Sequence, residues 1–140
     1  MKRLAVLTVM GALAVAGCGA QAQQTSSVDK FQGEDRAVAQ KIEDLQEAGE
    51  SRKPEDICSQ ILSRALVTEL EAAGADCAEE MEKAIDDADE YELEVQDVNV
   101  SGSTATARVR RGDDGPTETM EFTREGGDWR ATSLSSGPSS

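Results

Sequence analysis

YELEVQDVNVSGSTATARVRRGDDGPTETMEFTREGGDWRATS, residues 91 to 133, is the stretch whose reading decides the fold. Its apolar side chains recur at every second position, the spacing that places them on one face of a pleated strand. Tyr91, Leu93 and Val95 make one such set, and Val98 with Val100 a second that is out of phase with the first. The slip predicts a β-bulge near Gln96 and Asp97. Further on, Ala105, Ala107 and Val109 alternate with Thr104, Thr106, Arg108 and Arg110. Met120 and Phe122 follow between polar neighbours, then Trp129 and Ala131. The connectors Ser101-Gly102-Ser103, Asp113-Asp114-Gly115-Pro116 and Gly126-Gly127 have the chemistry of hairpin turns. Four antiparallel strands with one face toward a core are expected.

Upstream the period changes. Over residues 34–50, Val38, Ile42 and Leu45 recur at spacings of four and three, with Ala37, Ala48 and Gly49 beside them, which predicts an amphipathic helix. Pro54 before Glu55 and Asp56 reads as the first turn of a second helix, turning Ile57, Cys58, Ile61 and Leu62 inward. Leu66, Val67 and Leu70 predict a third helix ending at Gly74, and Asp76 is placed to cap a fourth with Cys77, Met81, Ala84 and Ile85 on one face. Helices first and an antiparallel meander second describe an α+β domain, N-terminal helices packed on one face of a four-stranded sheet.

That order of elements, with the segments DVNVSGSTATARV (97–109) and FTREGGDWRATSL (122–134), resembles exported proteins of the nuclear transport factor 2-like superfamily, whose cystatin-like cone is shared with SnoaL-type and ketosteroid-isomerase-type proteins. The likeness covers about residues 34–134. Its motifs are fold signatures (a valine-rich strand, a glycine turn and a Gly-Gly-x-Trp-Arg closing hairpin) and name no reaction. Enzymes of this kind resemble one another in placing a His, Asp or Tyr inside the cone. This chain has no histidine and a single tyrosine, Tyr91, which either reaches the mouth of the cone or packs at its rim. No carboxylate is expected in phase with the apolar strand positions, so the expectation is a non-catalytic domain without a cofactor. Ala105 and Ala107 leave room above the sheet: a helix packs closer there, or an apolar pocket opens, lined by Tyr91, Phe122 and Trp129.

The N-terminus carries an address. Lys2 and Arg3 precede an apolar run over residues 4–16, interrupted by Thr8 and Gly11, which is the build of a secretory signal. At about 1.5 Å per residue that run spans roughly 20 Å, too short for a hydrocarbon core of about 30 Å. It closes in Val15-Ala16-Gly17-Cys18, which resembles the lipobox of bacterial lipoproteins; the alternative is an ordinary signal peptide with an incidental cysteine. The lipobox implies removal of residues 1–17, attachment of diacylglycerol and a further acyl chain such as palmitate at Cys18, and retention at the outer face of the cell membrane. The expected organisation is a signal peptide (1–17), a lipidated cysteine with a flexible tether (18–33), the domain (34–134) and a disordered tail (135–140). An abundance of Arg, Ala and Gly resembles actinobacterial proteins.

Lipidation of Cys18 leaves Cys58 and Cys77 as a pair for a disulfide; two buried free thiols are the other reading. Without histidine, two cysteines are too few for zinc, and no metal site is expected. The cleaved chain keeps 12 basic side chains against 28 acidic ones once Lys2 and Arg3 are gone, hence a net charge of −16. Such a surface excludes nucleic acid as a partner, and bare anionic lipid likewise. The run Asp86, Asp87, Asp89, Glu90, Glu92, Glu94 lacks the glycine and terminal acid of a calcium loop and reads as a solvated helix end. Acids at a helix C-terminus oppose its dipole, so an arginine partner or a weakly held cation is expected beside them. Arg108, Arg110, Arg124 and Arg130 are assigned to exposed strand faces against Glu118 and Glu121, as cross-strand ion pairs or as a surface for an acidic partner. The functional expectation is a membrane-anchored accessory or binding domain of the cell envelope, its partner an envelope protein or wall polymer. A small-ligand carrier, or a cryptic enzyme using the cone interior, is the alternative.

Overall fold

Residues 27–136 are described by a computed structural model, so the expected signal peptide, Cys18 and the last four residues lie outside the described residues. The 3.6-residue period produces α1 (Gly33–Glu50), which buries Val38, Ala39, Ile42, Ala48 and Gly49. Ala37 is exposed and Ala39 takes the inward place. Pro54 opens α2 (Pro54–Asp56), which widens into a π turn over Ile57–Ile61. Ser63 caps α3 (Arg64–Ala72) by accepting from the Leu66 amide at 3.2 Å, and Asp76 caps α4 (Cys77–Asp87) by accepting from the Glu79 amide at 3.1 Å. Of the predicted inward face of α4, Cys77, Met81 and Ile85 are buried and Ala84 is exposed.

The period-2 stretch forms β1 (Leu93–Ser101), β2 (Thr104–Arg111), β3 (Thr117–Glu125) and β4 (Asp128–Ser136), a meander in the order β1-β2-β3-β4 with every neighbour antiparallel. The register slips between Val95 and Asp97, so Gln96 is the bulged residue and Val95 and Val98 both face inward. Gly126 and Gly127 have φ of 58° and 89°, the two positive values that a tight hairpin turn demands. The helices cover one face of this sheet, so the domain is α+β. Val38 and Ile42 of α1 are completely buried over a floor that includes Ala105, Ala107 and Ala131.

Two boundaries differ from expectation. The tether was expected to run to residue 33, yet Ser27–Lys30 form a 3-10 turn, Val28 is 2% exposed and Phe31 packs against the core. One valine and one phenylalanine have no periodic partners, so this anchoring gives no signal in the sequence. The tail was expected from residue 135, but β4 continues to Ser136. Both sheet edges are partly occupied. Ser27 Oγ accepts from the Val95 amide at 3.3 Å and Gln46 Oε1 from the Leu93 amide at 2.8 Å on β1, while the Ser63 amide donates to the Ala131 carbonyl at 2.8 Å on β4.

Cys58 and Cys77 form a disulfide with Cα atoms 6.1 Å apart, tying the π turn to the start of α4 across the whole of α3. No α3 residue is buried, so this clasp and the cap at Ser63 do much to hold that helix. Replacing both cysteines by alanine is expected to lower stability by roughly 3 kcal/mol through the unfolded-state loop that is no longer closed. Urea unfolding of the oxidised protein and the double variant measures it; equal midpoints would show that the clasp contributes nothing.

Candidate functional site

A meander with helices on one face leaves an open end where the last turns of helices meet the strand ends. Here those are the C-terminal turns of α1 and α4, the start of β1 and the end of β2. Between them lies a cleft of about 250 Å³, walled chiefly by Leu45, Ile57, Met81, Ile85, Leu93 and Leu134. Tyr91 stands at its edge, half-buried, with its hydroxyl donating to the Ile85 carbonyl at 2.5 Å. The ring is seated on the backbone of Gly49, where a Cβ would come within 3.2 Å of Tyr91 Cδ1. Glycine here, in the last turn of a helix, therefore serves close approach.

The three aromatic residues proposed to share a pocket do not line this cleft together. Tyr91 lines it, Phe122 lines a separate depression with Thr104, Thr106 and Glu121, and Trp129 is enclosed at 3% exposure. Phe122 opposes Ala131 and Arg124 opposes Trp129 along the β3–β4 ladder, so all four project to the inner face.

That register corrects two expectations. Arg124 is not on the outer strand face: it sits over the Trp129 ring, 4.8 Å from the centroid, and pairs with Glu34 in the first turn of α1. And one carboxylate does fall in phase with the apolar positions, since Glu118 precedes Met120 by two and opposes Val109. It is held by Arg111, also inward in phase, at 3.3 Å, and Arg111 lines the cleft. Arg124 and Glu118 both keep the alternation of Met120 and Phe122; it is their charge, which in a sequence argues for solvent, that conceals the inward placement. Arg110 does make a cross-strand ion pair, with its register partner Glu94 on β1; Arg108 is exposed, and Arg130 donates to the Ser59 carbonyl at 2.7 Å. The arginine expected near the end of α4 is Arg52, which pairs with Asp86. Among the described residues no cluster of side chains is suited to a metal ion.

Glu34 joins the helical layer to the closing hairpin. One oxygen accepts from both the Arg124 guanidinium and Trp129 Nε1, the latter at 2.9 Å. The hydrogen bond from Arg124, then that from Trp129, hold its carboxyl below the usual carboxylate range. Comparison with family models, with curated proteins and with solved structures finds no match to this chain.

Trp129→Ala is expected to destabilise the domain by about 3 to 5 kcal/mol, the usual range for deleting a buried aromatic side chain. The native protein's single tryptophan should emit in the blue and shift red on unfolding, and an emission already red-shifted would contradict its enclosure. For Glu34 the pH dependence has a definite sign. A lowered folded-state pKa contributes stability that is complete above the ordinary carboxylate range and is lost as pH falls toward the folded value, because the unfolded chain binds its proton first. Glu34→Gln should therefore reduce stability at neutral pH and flatten the acid limb of the stability profile. Parallel profiles for the two proteins would show that the pairing is energetically silent.

Proposed function

We propose that this chain is a lipid-anchored, extracytoplasmic binding domain of a bacterial cell envelope, non-catalytic, with a domain of the nuclear transport factor 2-like cone type. The observation that carries the reading is the Cys58–Cys77 disulfide. A bridge of this kind persists in oxidising compartments, and it uses up the two cysteines outside the lipobox-like Val15-Ala16-Gly17-Cys18. Cys18 is thereby left for the lipid. Eight residues, 19–26, separate it from the 3-10 turn, a reach of at most about 29 Å at 3.3–3.6 Å per residue. The domain would stand close above the bilayer, with its net negative charge opposing contact with anionic headgroups.

The open cleft favours binding of a small ligand over a purely structural accessory role. An apolar wall with a polar edge is the usual make-up of a ligand site. The absence of histidine from the sequence, and the neutralisation of inward-facing Glu118 by Arg111, support binding over catalysis.

Cys18→Ser is expected to abolish incorporation of labelled fatty acid in a bacterial host and to release the protein from the membrane fraction. Labelling of the serine variant at the level of the parent would overturn the anchor.

A further inference from the structure

The cleft beside Tyr91 does not end where its apolar wall ends. It adjoins a groove of about 750 Å³ lined by Glu43, Glu50, Glu90, Glu92 and Glu94, with Lys30 as the single basic lining residue among the described ones. Cleft and groove share Gln46, Glu90, Tyr91 and Leu93, so they form one composite depression. Its apolar half is small. At about 250 Å³ it falls below the roughly 300–1,000 Å³ of a self-sufficient small-molecule pocket, so it takes one apolar group and leaves the remainder of a ligand in the groove.

The charged half is under-compensated from two directions. Glu94 is satisfied by Arg110 and Lys30, but Glu50, Glu90 and Glu92 have no cationic partner among the described residues. Independently, α1 and α4 both point their C-terminal ends at this depression, α1 through Gln46 and Gly49 and α4 through Ala84 and Ile85. Helix C-termini carry partial negative charge, and neither helix has a basic residue in its last turn. The nearby cations are already engaged, Arg52 with Asp86 and Arg111 with Glu118. Tyr91 stands where the apolar and acidic halves join, and the face of a phenol ring attracts a cation.

We propose that this composite site binds a hydrophobic organic cation, an alkyl or aryl chain entering the cleft with its ammonium beside Tyr91 and the Glu50, Glu90 and Glu92 carboxylates. The inference rests on the binding-domain reading and supplies its ligand class. Anionic amphiphiles of the same length are rejected by the same field that attracts the cation.

The test uses the purified full chain and three probes of equal length, hexylammonium, hexanol and hexanoate, titrated while NMR follows Tyr91, Ala84 and Leu134. A unit charge at about 4 Å in a water-like medium contributes about 1 kcal/mol, about fivefold in affinity, so the three carboxylates without a cationic partner, of which among the described residues Glu50 accepts only from Gln46 and Glu90 only from the Glu92 amide, should favour hexylammonium over hexanoate by at least about tenfold. Added salt should shrink that preference. In Glu50→Gln/Glu90→Gln/Glu92→Gln the preference should fall to about twofold with hexanol binding unchanged, since only the charge is removed. Ala84 is exposed on the cleft wall, so Ala84→Phe should block the cleft and abolish binding of all three probes while tryptophan emission confirms the fold. Equal affinity for hexylammonium and hexanoate, or hexylammonium binding untouched by Ala84→Phe, would overturn the proposal. So would perturbation by hexylammonium of the glutamates without Tyr91 and Leu134, which marks a diffuse counter-ion. Absence of binding by every probe would also overturn it, and fatty-acid labelling at Cys18 would still decide the anchor reading separately.

Discussion

The structure depends on how closely α1 can approach the sheet. The chain has four aromatic residues in all, so it cannot fill its core with large rings. The buried floor of the sheet mixes Ala105, Ala107 and Ala131 with Met120, Phe122 and Trp129, and Val38 and Ile42 are completely buried in the same core. Interiors are packed at crystal-like density, and here small side chains set among a few large ones achieve it against a helix whose buried residues are Val38, Ala39, Ile42, Ala48 and Gly49. One turn further along α1 the same logic leaves an opening. Leu45 is half-buried, Gly49 yields its place to the Tyr91 ring, and the wall opposite is built from the ends of β1 and β4. The filled centre and the open end are two consequences of one helix laid over a floor whose side chains change in size.

Around that contact, weaker elements are secured by directed interactions. α3 buries none of its residues, yet its first amide, at Arg64, donates to both oxygens of Glu125 at 3.1 and 3.2 Å, placing a carboxylate at a helix N-terminus where the dipole favours it. Ser63 supplies the cap and a backbone bond to β4, and the disulfide closes the segment from the other side. At the same hairpin Glu34 ties Arg124 and Trp129 to the first turn of α1 through the guanidinium and the indole together. These contacts are long in sequence and short in space, so they oppose opening of the sheet from the helices where apolar burial is thin.

Charge is distributed with the same economy. Most arginines of the sheet are engaged, with Glu94, Glu118, Glu34 or a backbone carbonyl, which leaves the excess of acid to the helix ends and the groove beside Tyr91. Exposed pairs of this kind contribute little to stability singly, but those of Arg110 with Glu94 and Arg111 with Glu118 engage cations beside the open end. The electrostatic character of the candidate site therefore depends on pairings at its own rim, since Arg111 lines the cleft and Glu94 the groove.

The sequence by itself determined the class, the four strands, their turns and the bulge at Gln96, because alternation and glycine pairs are local patterns that survive without knowledge of their surroundings. It determined the cap at Asp76, which stands out before an apolar period, while the cap at Ser63 emerged only from the structure. Only the tertiary structure decided that Val28 and Phe31 belong to the domain, that Arg124 and Glu118 turn inward, and that Tyr91 parts company with Phe122 and Trp129. Each of these rests on where a strand or helix ends against another element. Glu118 and Arg124 keep the phase of Met120 and Phe122, but a charge at a strand end is equally at home in solvent, and only the partner opposite, Arg111 or Glu34, shows that each is held inward. The site lies among such ends: its walls come from the last turns of two helices and the first or last residues of three strands, and no stretch of the chain holds them together until the sheet has folded against α1.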